Sequence, residues 1–151
     1  MQAGDAGEFA TVMLRGGIPH PSGYPWMRII GWLARPCEML GAPPALAAAI
    51  PCAALAIVGL VLLQRCLAAR VGPWVAAVAV LIVGLSPPFV RHAYDAEVWG
   101  PLIGATGAFA WLCATPSRRP IRPVLLGLAL GVAVTVHGVR DAGVLRVLGG
   151  G

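Results

Sequence analysis

The stretch that decides the fold is residues 45–64, which read ALAAAIPCAALAIVGLVLLQ. It contains no Asp, Glu, Lys or Arg over the roughly 20 residues that a helix needs to cross the hydrocarbon core of a bilayer. Lipid offers no hydrogen-bonding partner to backbone groups, so a segment of this kind is expected to be helical there. We therefore predict a membrane-spanning helix in which Pro51 kinks the axis or widens one helical turn.

Three further apolar runs without charged residues follow at 73–90, 100–115 and 123–137. The whole chain agrees with them, because 58% of its residues are hydrophobic, only 11% are charged and its mean hydropathy is +0.81, whereas a soluble domain carries roughly a quarter charged residues. The last two runs would be only about 22–24 Å long as helices, so they would need flanking residues or a thin bilayer. The pattern predicts an all-α, polytopic bundle of about four transmembrane helices.

The connections between these runs differ in charge. Residues 65–72 and 116–122 hold five arginines and no acid, which predicts a cytoplasmic position by the positive-inside rule. All six acids lie in the longer segments on the other side. Residues 24–40 are apolar but interrupted by Arg28, Arg35 and Glu38; we interpret them as a juxtamembrane helix lying at the interface, with a fifth span as the alternative. The chain then divides into an outer segment at 1–44, transmembrane helices at 45–137 and an aberrant or disordered tail at 138–151.

The charge and the cysteines narrow the range of partners. The net charge of +5 comes from eleven arginines scattered among apolar runs, which argues against nucleic-acid binding and for contact with membrane lipid. The four cysteines form no CxxC pair and lie mostly in or beside apolar runs, where Cys acts as a small hydrophobe. The first 20 residues have no apolar core typical of a signal peptide. We expect an integral protein of a bacterial inner (plasma) membrane, with its acidic loops on the non-cytoplasmic side.

The first candidate site is the N-terminal segment with Asp5 and Glu8. Three residues apart, they share one face of a helix and could act as a base with an orienting group, or hold a divalent cation. A stretch rich in Pro and Gly follows around His20 and should form a rigid loop. The alternative is an N-terminal tail with ordinary solvated acids.

The second candidate site is residues 91–99, RHAYDAEVW. Arg91 and His92 could bind phosphate, and Asp95 and Glu97 could assist proton transfer or position a hydroxyl. The alternative is a solvated loop with aromatic residues at the membrane interface. The spacing of the acids and histidines in the two segments is not diagnostic of any metal, so we assign no metal ligands.

The motif D-A-G-E-F at residues 5–9, followed by G-I-P-H-P-S-G-Y-P at residues 17–25, resembles the opening signature of the DUF2723 family. These are protein O-mannosyltransferase-like membrane proteins of the GT-C glycosyltransferase superfamily. Ala6 and Ser22 stand where the family usually has Ser and Pro. Residues 86–87 (SP) and 97–99 (EVW) resemble a later segment of the family, and residues 127–131 (GLALG) resemble another more loosely.

The resemblance implies transfer of a sugar, mannose in the family, from a polyprenyl-phosphate-linked donor to a hydroxyl of a protein or glycan acceptor. By motif, Asp5 would be the general base and Glu8 would assist it. Substrate-binding positions would be His20, Tyr24, Arg91, His92, Asp95 and Glu97. Family members have a span before the Asp motif and many after it, so the chain is expected to be a fragment. The alternative is a non-enzymatic small membrane protein, either a transporter piece or an assembly subunit.

Single-cysteine labelling tests the topology. Ala6→Cys and Ala96→Cys, each in a cysteine-free chain, should both react with a membrane-impermeant maleimide added from the non-cytoplasmic side, because both acidic segments are expected there. Labelling from opposite sides would contradict a single site and would favour a fifth span at residues 24–40.

Overall fold

A computed structural model describes residues 5–16, 25–94, 99–115 and 121–137, and within these ranges the chain is about nine-tenths helical, with no strand. The prediction of an all-α fold is confirmed for this part of the chain, whereas the predicted tail at 138–151 lies outside it. The helices are α1 (Asp5–Arg15), α2 (Pro25–Met39), α3 (Pro44–Val71), α4 (Pro73–Gly84), α5 (Pro87–Tyr94), α6 (Trp99–Ala114) and α7 (Arg122–His137).

Helix α3 is the centre of the fold, and it packs against α1, α2, α4, α5 and α6. It is 28 residues long and continues seven residues beyond the predicted run, so the expected loop at 65–72 is wrong. Arginine, alanine and leucine are strong helix formers, and a charged side chain does not by itself end a helix. The helix ends only at Gly72, whose φ of 88° is a conformation that favours glycine.

The second predicted run, 73–90, is two helices rather than one. Helix α4 ends at Gly84, and the next helix turns away from it by 69°. Pro87 and Pro88 have no N–H, so they cannot bond to the carbonyls of Val83 and Gly84 as a continuing helix would require. Ser86 takes over one of these acceptors, since its backbone N and its Oγ donate to the Val83 carbonyl at 3.1 and 2.6 Å.

The helices differ in their capacity to cross a membrane. By length and composition, α3 is the clear candidate in the described part of the chain, and α4 with α5 would qualify only as one broken span. Helix α6 and the described start of α7 are apolar but shorter. The structure therefore supports at least one membrane-capable helix, and α2 is not among the candidates.

Glycines bring α3 and α6 into backbone contact. A Cβ on Gly59 would collide with the carbonyl of Ile103, one on Gly100 with the carbonyl of Cys52, and one on Gly107 with that of Gly59. Along these contacts the residue numbers increase in the same direction in both helices, so α3 and α6 run parallel. Small residues permit this close approach of backbones, which is common where helices pack in lipid.

The other long helices run alongside this pair. Gly72 alone joins α3 to α4, and Gly84 approaches the side chain of Leu60, so the two helices form an antiparallel hairpin. Helix α7 begins beside the end of α6, where Arg122 Nη2 donates to the Leu112 carbonyl at 2.6 Å. The end of α3 that carries Arg70 and the start of α7 therefore lie at the same end of the structure.

In the long apolar helices, the pattern of buried and exposed side chains is the reverse of that in a soluble protein. The buried residues of α3 are small: Ala47, Ala48, Ala49, Pro51, Cys52, Ala56 and Gly59. Large apolar side chains face outwards instead, such as Ile57, Ile82 and Leu128, and Trp74 is 84% exposed. Exposed apolar side chains in this number mark contact with lipid or another protein.

We call the contact through Gly59, Gly100 and Gly107 the α3–α6 seam. Substitution of its glycines tests this packing. Gly59→Ala and Gly107→Ala should each lower the free energy of unfolding by about 1–3 kcal/mol, because the new Cβ would meet backbone that cannot move freely. The measurement is far-ultraviolet circular dichroism of the chain in detergent micelles during denaturation.

Gly127→Ala is the matched control, because a Cβ there meets nothing within 4 Å. It should change the free energy of unfolding by no more than about 1 kcal/mol, in the stabilising direction that helix propensity favours. Equal losses at all three positions would contradict a specific α3–α6 seam.

Candidate functional site

Helix α1 carries Asp5 and Glu8, the two predicted catalytic residues. The structure confirms that their backbone is helical, so positions 5, 8 and 12 share one face of α1. The side chain of Val12 is buried. The helix ends at Gly16, whose φ is 80° and whose N–H donates to the Val12 carbonyl at 3.0 Å, a common glycine cap.

An apolar cluster attaches α1 to the rest of the fold. Met13 and Leu14 of α1 pack with residues of α2 and with the N-terminal half of α3. Their buried partners are Met27, Ile30, Ala34, Ala47, Ala48 and Cys52. Helices α1 and α2 cross closely, because a Cβ on Gly31 would collide with the Met13 carbonyl. The acidic motif is therefore carried by a helix that is packed into the structure.

An ion pair between residues far apart in the sequence joins the same two helices. Arg15 Nη2 lies 3.0 Å from Glu38 Oε1. Arg15 is mostly exposed, so the pair stabilises the contact by about 1 kcal/mol at most. The residues are 23 positions apart, and no local periodicity connects them, so only the tertiary contact reveals the pair.

Helix α2 has two different faces. Met27, Ile30 and Ala34 are buried in the cluster. Its outer face combines arginines with large apolar side chains and includes Trp32, which is 69% exposed. This amphipathic pattern, together with its 15-residue length, is typical of an interfacial helix, and the position of residues 24–40 at a membrane surface stays a prediction. The helix ends at Gly41, where the N–H groups of Gly41 and Ala42 donate to the carbonyls of Glu38 and Cys37, as in a Schellman cap.

Helix α5 carries Arg91 and His92, the two predicted phosphate-binding residues in the described chain. Arg91 is exposed and His92 is half-buried. The imidazole centroid lies 5.5 Å from the Trp99 ring, with the planes tilted by 42°. Trp99 opens α6 beside Gly100, which contacts Cys52 of α3. The end of α5 is therefore fixed near the same half of α3 that binds α1 and α2.

The structure unites the predicted site only in part. Helices α1 and α5 both pack against α3, so the two motifs share one supporting helix. His20, Tyr24, Asp95 and Glu97 lie outside the described residues, and the contacts of these four with Asp5 and Glu8 stay predictions. Within the described ranges, no three His, Cys, Asp or Glu residues are grouped so as to hold a metal ion.

No protein-family model, curated protein or solved structure matches this chain significantly. The glycosyltransferase motif at residues 5–9 and 17–25 therefore remains a resemblance of the sequence alone. The geometry adds that its first half lies on a helix packed against α2 and α3.

A double-mutant cycle tests the contact between α1 and α2. Arg15→Gln and Glu38→Gln should show a coupling free energy of about 0.2–1 kcal/mol, typical of an exposed ion pair, measured by denaturation in a non-ionic detergent. The coupling should shrink at high ionic strength. The cycle of Arg28→Gln with Glu38→Gln is the control, and an equal coupling there would contradict a specific pair.

Proposed function

We propose that this chain is an integral membrane protein in which α3, α4 with α5, α6 and α7 each cross the bilayer. We further propose that its N-terminal end forms the acceptor side of a GT-C type glycosyltransferase. The observation that carries the proposal is the docking of α1, with its Asp5-x-x-Glu8 motif, onto the N-terminal half of α3. Helix α1 therefore lies at the opposite end of α3 from Arg70.

The inverted burial supports the membrane assignment. In water, the exposed valine, isoleucine and leucine side chains of α3, α4 and α7 would be costly, at about 25 cal/mol for each Å² of apolar surface. In lipid that cost disappears, and contact between small residues holds the helices together. Helices α6 and α7, at 16 residues each, would cross where the bilayer is thin or with help from their flanking residues.

The two ends of α3 support the sidedness. Cys52, in the cluster with α1 and α2, and Arg70 are 18 residues apart in one helix, a distance of about 27 Å. That is close to the thickness of the hydrocarbon core, about 30 Å. Arg70 and Arg122 share one end of the bundle, which the positive-inside rule assigns to the cytoplasm. The acidic motif then belongs at the opposite, non-cytoplasmic face.

The proposed chemistry is the one that the motif resemblance implies for these residues. Asp5 takes the proton of the acceptor hydroxyl while the oxygen of that hydroxyl bonds to the anomeric carbon of the sugar. The bond from that carbon to the phosphate oxygen breaks, and polyprenyl phosphate leaves with the electron pair. Arg91, exposed at the end of α5, would hold the phosphate charge, and His92 would assist it. Both partners stay in their own phase, the lipid carrier in the membrane and the acceptor in water.

The second candidate function is a non-enzymatic membrane subunit, either a transporter piece or an assembly partner. One observation favours it. In the described part of the chain, α7 packs chiefly against α6 and leaves Val124, Leu128 and Leu130 exposed. A further helix could cover this surface as well as lipid could.

Substitution of the proposed base separates the two functions. Asp5→Asn, made in the gene in its natural context so that any flanking sequence is retained, should lower sugar transfer from the polyprenyl-phosphate donor by at least about 100-fold, the lower range for a lost general base. The measurement is turnover of radiolabelled donor by membranes that contain equal amounts of protein.

Asp141→Asn is the control, because it removes the same charge outside the motif. It should leave transfer unchanged. If transfer persists in Asp5→Asn, or if the unmodified membranes transfer no sugar, the enzymatic proposal is wrong and the subunit function is favoured.

A further inference from the structure

The α3–α6 seam has a regular spacing that extends beyond its glycines. Cys52 of α3 contacts Gly100 of α6, and Gly59 of α3 contacts Gly107 of α6. The two contacts are therefore seven residues apart along each helix. Seven residues return to nearly the same face of a helix, with a drift of only about 20°. The next positions in this register are Cys66 on α3 and Ala114 on α6. The side chain of Cys66 therefore lies on the α6-facing side of its helix.

A cleft of about 220 Å³ lies at this level. Its lining from α3 is Cys66, Leu67 and Arg70, and its lining from α6 is Ala110, Cys113 and Ala114. Both cysteines are free thiols, Cys66 half-buried and Cys113 exposed. Two helices thus each contribute one cysteine to a single cleft, which Arg70 also lines.

We propose that Cys66 and Cys113 bind a soft monovalent metal ion of the Cu(I) class in this cleft. Thiolates are the ligands that select Cu(I). Structural zinc sites need four ligands, but no third Cys, His, Asp or Glu joins these two in the described chain. The neighbouring residues 116–120, PSRRP, contain none of these types either. Two thiolates therefore suit an ion that accepts low coordination.

The charges at the cleft fit this ion. Binding releases the two thiol protons to solvent, and two thiolates with one Cu(I) carry a net charge of −1. Arg70 lines the same cleft, and its side chain carries the opposite charge. The complex with its arginine is then neutral, which suits a position at the end of two apolar helices.

Cu(I) titration of the purified full chain tests the proposal. The protein is kept reduced and anaerobic in detergent, and a chromophoric Cu(I) chelator competes for the metal. We expect one Cu(I) per chain. Cys66→Ser and Cys113→Ser should each weaken binding by at least about 100-fold, because loss of a ligand exceeds the 10–100-fold effect of changes around a site.

Cys37→Ser and Cys52→Ser are the matched controls, since neither residue lines the cleft. Both should retain the parent affinity. Binding that depends equally on all four cysteines, or that survives Cys66→Ser or Cys113→Ser, would overturn the proposal.

A second measurement needs no variant. Cu(I) should protect Cys66 and Cys113 of the parent chain, but not Cys37, from alkylation by a maleimide, with each site quantified by peptide mass spectrometry. Unprotected Cys66 and Cys113 at saturating Cu(I) would overturn the proposal even if the serine variants fail to fold. Because this readout is independent of sugar transfer, it is unaffected by the outcome at Asp5.

Discussion

The backbone contact between α3 and α6 is the constraint on which the rest of the structure depends. Gly59 and Gly107 lie against each other's helices with no room for a Cβ, so the helices are held in one register. Because the two run parallel, the chain must return to its starting end between them. Helix α4 makes most of that return, and the bend at Ser86 turns α5 towards the start of α6. The position of Trp99 beside His92 follows from this path.

The same contact explains why small residues are buried and large ones exposed. In the lipid environment that we propose, an exposed leucine loses nothing, so the helices would associate through close packing rather than by removing apolar surface from water. Alanine, glycine and cysteine allow the closest approach of two helices, and they make up most of the buried face of α3. Among the described residues, larger side chains are buried only at the junction of α1, α2 and α3, where Met13 and Met27 are almost fully enclosed. That junction is built more like the core of a soluble domain.

The sequence predicted the helical class and the bounds of α2, α6 and α7 closely. Helices α6 and α7 are uncharged apolar runs, which have few alternatives to a helix where lipid surrounds them. It misplaced the end of α3, since Arg65 and Arg70 were taken to mark a loop although arginine propagates a helix well. It also missed the break at Ser86, where the two prolines were a usable signal. The Arg15–Glu38 pair and the shared cleft of Cys66 and Cys113 had no local signal. For the candidate site, the sequence identified residue types and motifs, whereas the support of α1 and α5 by one helix required the tertiary structure.

The single residue between α3 and α4 limits how the length of this chain can vary in evolution. With only Gly72 as the linker, the rotational phase of α4 about its own axis is tied to that of α3. Insertion or deletion of one residue in either flanking turn would rotate everything beyond it by about 100°. The faces that meet at Leu60 and Gly84 would then part. Length variation should therefore be absent from this hairpin and concentrated in the longer connections elsewhere.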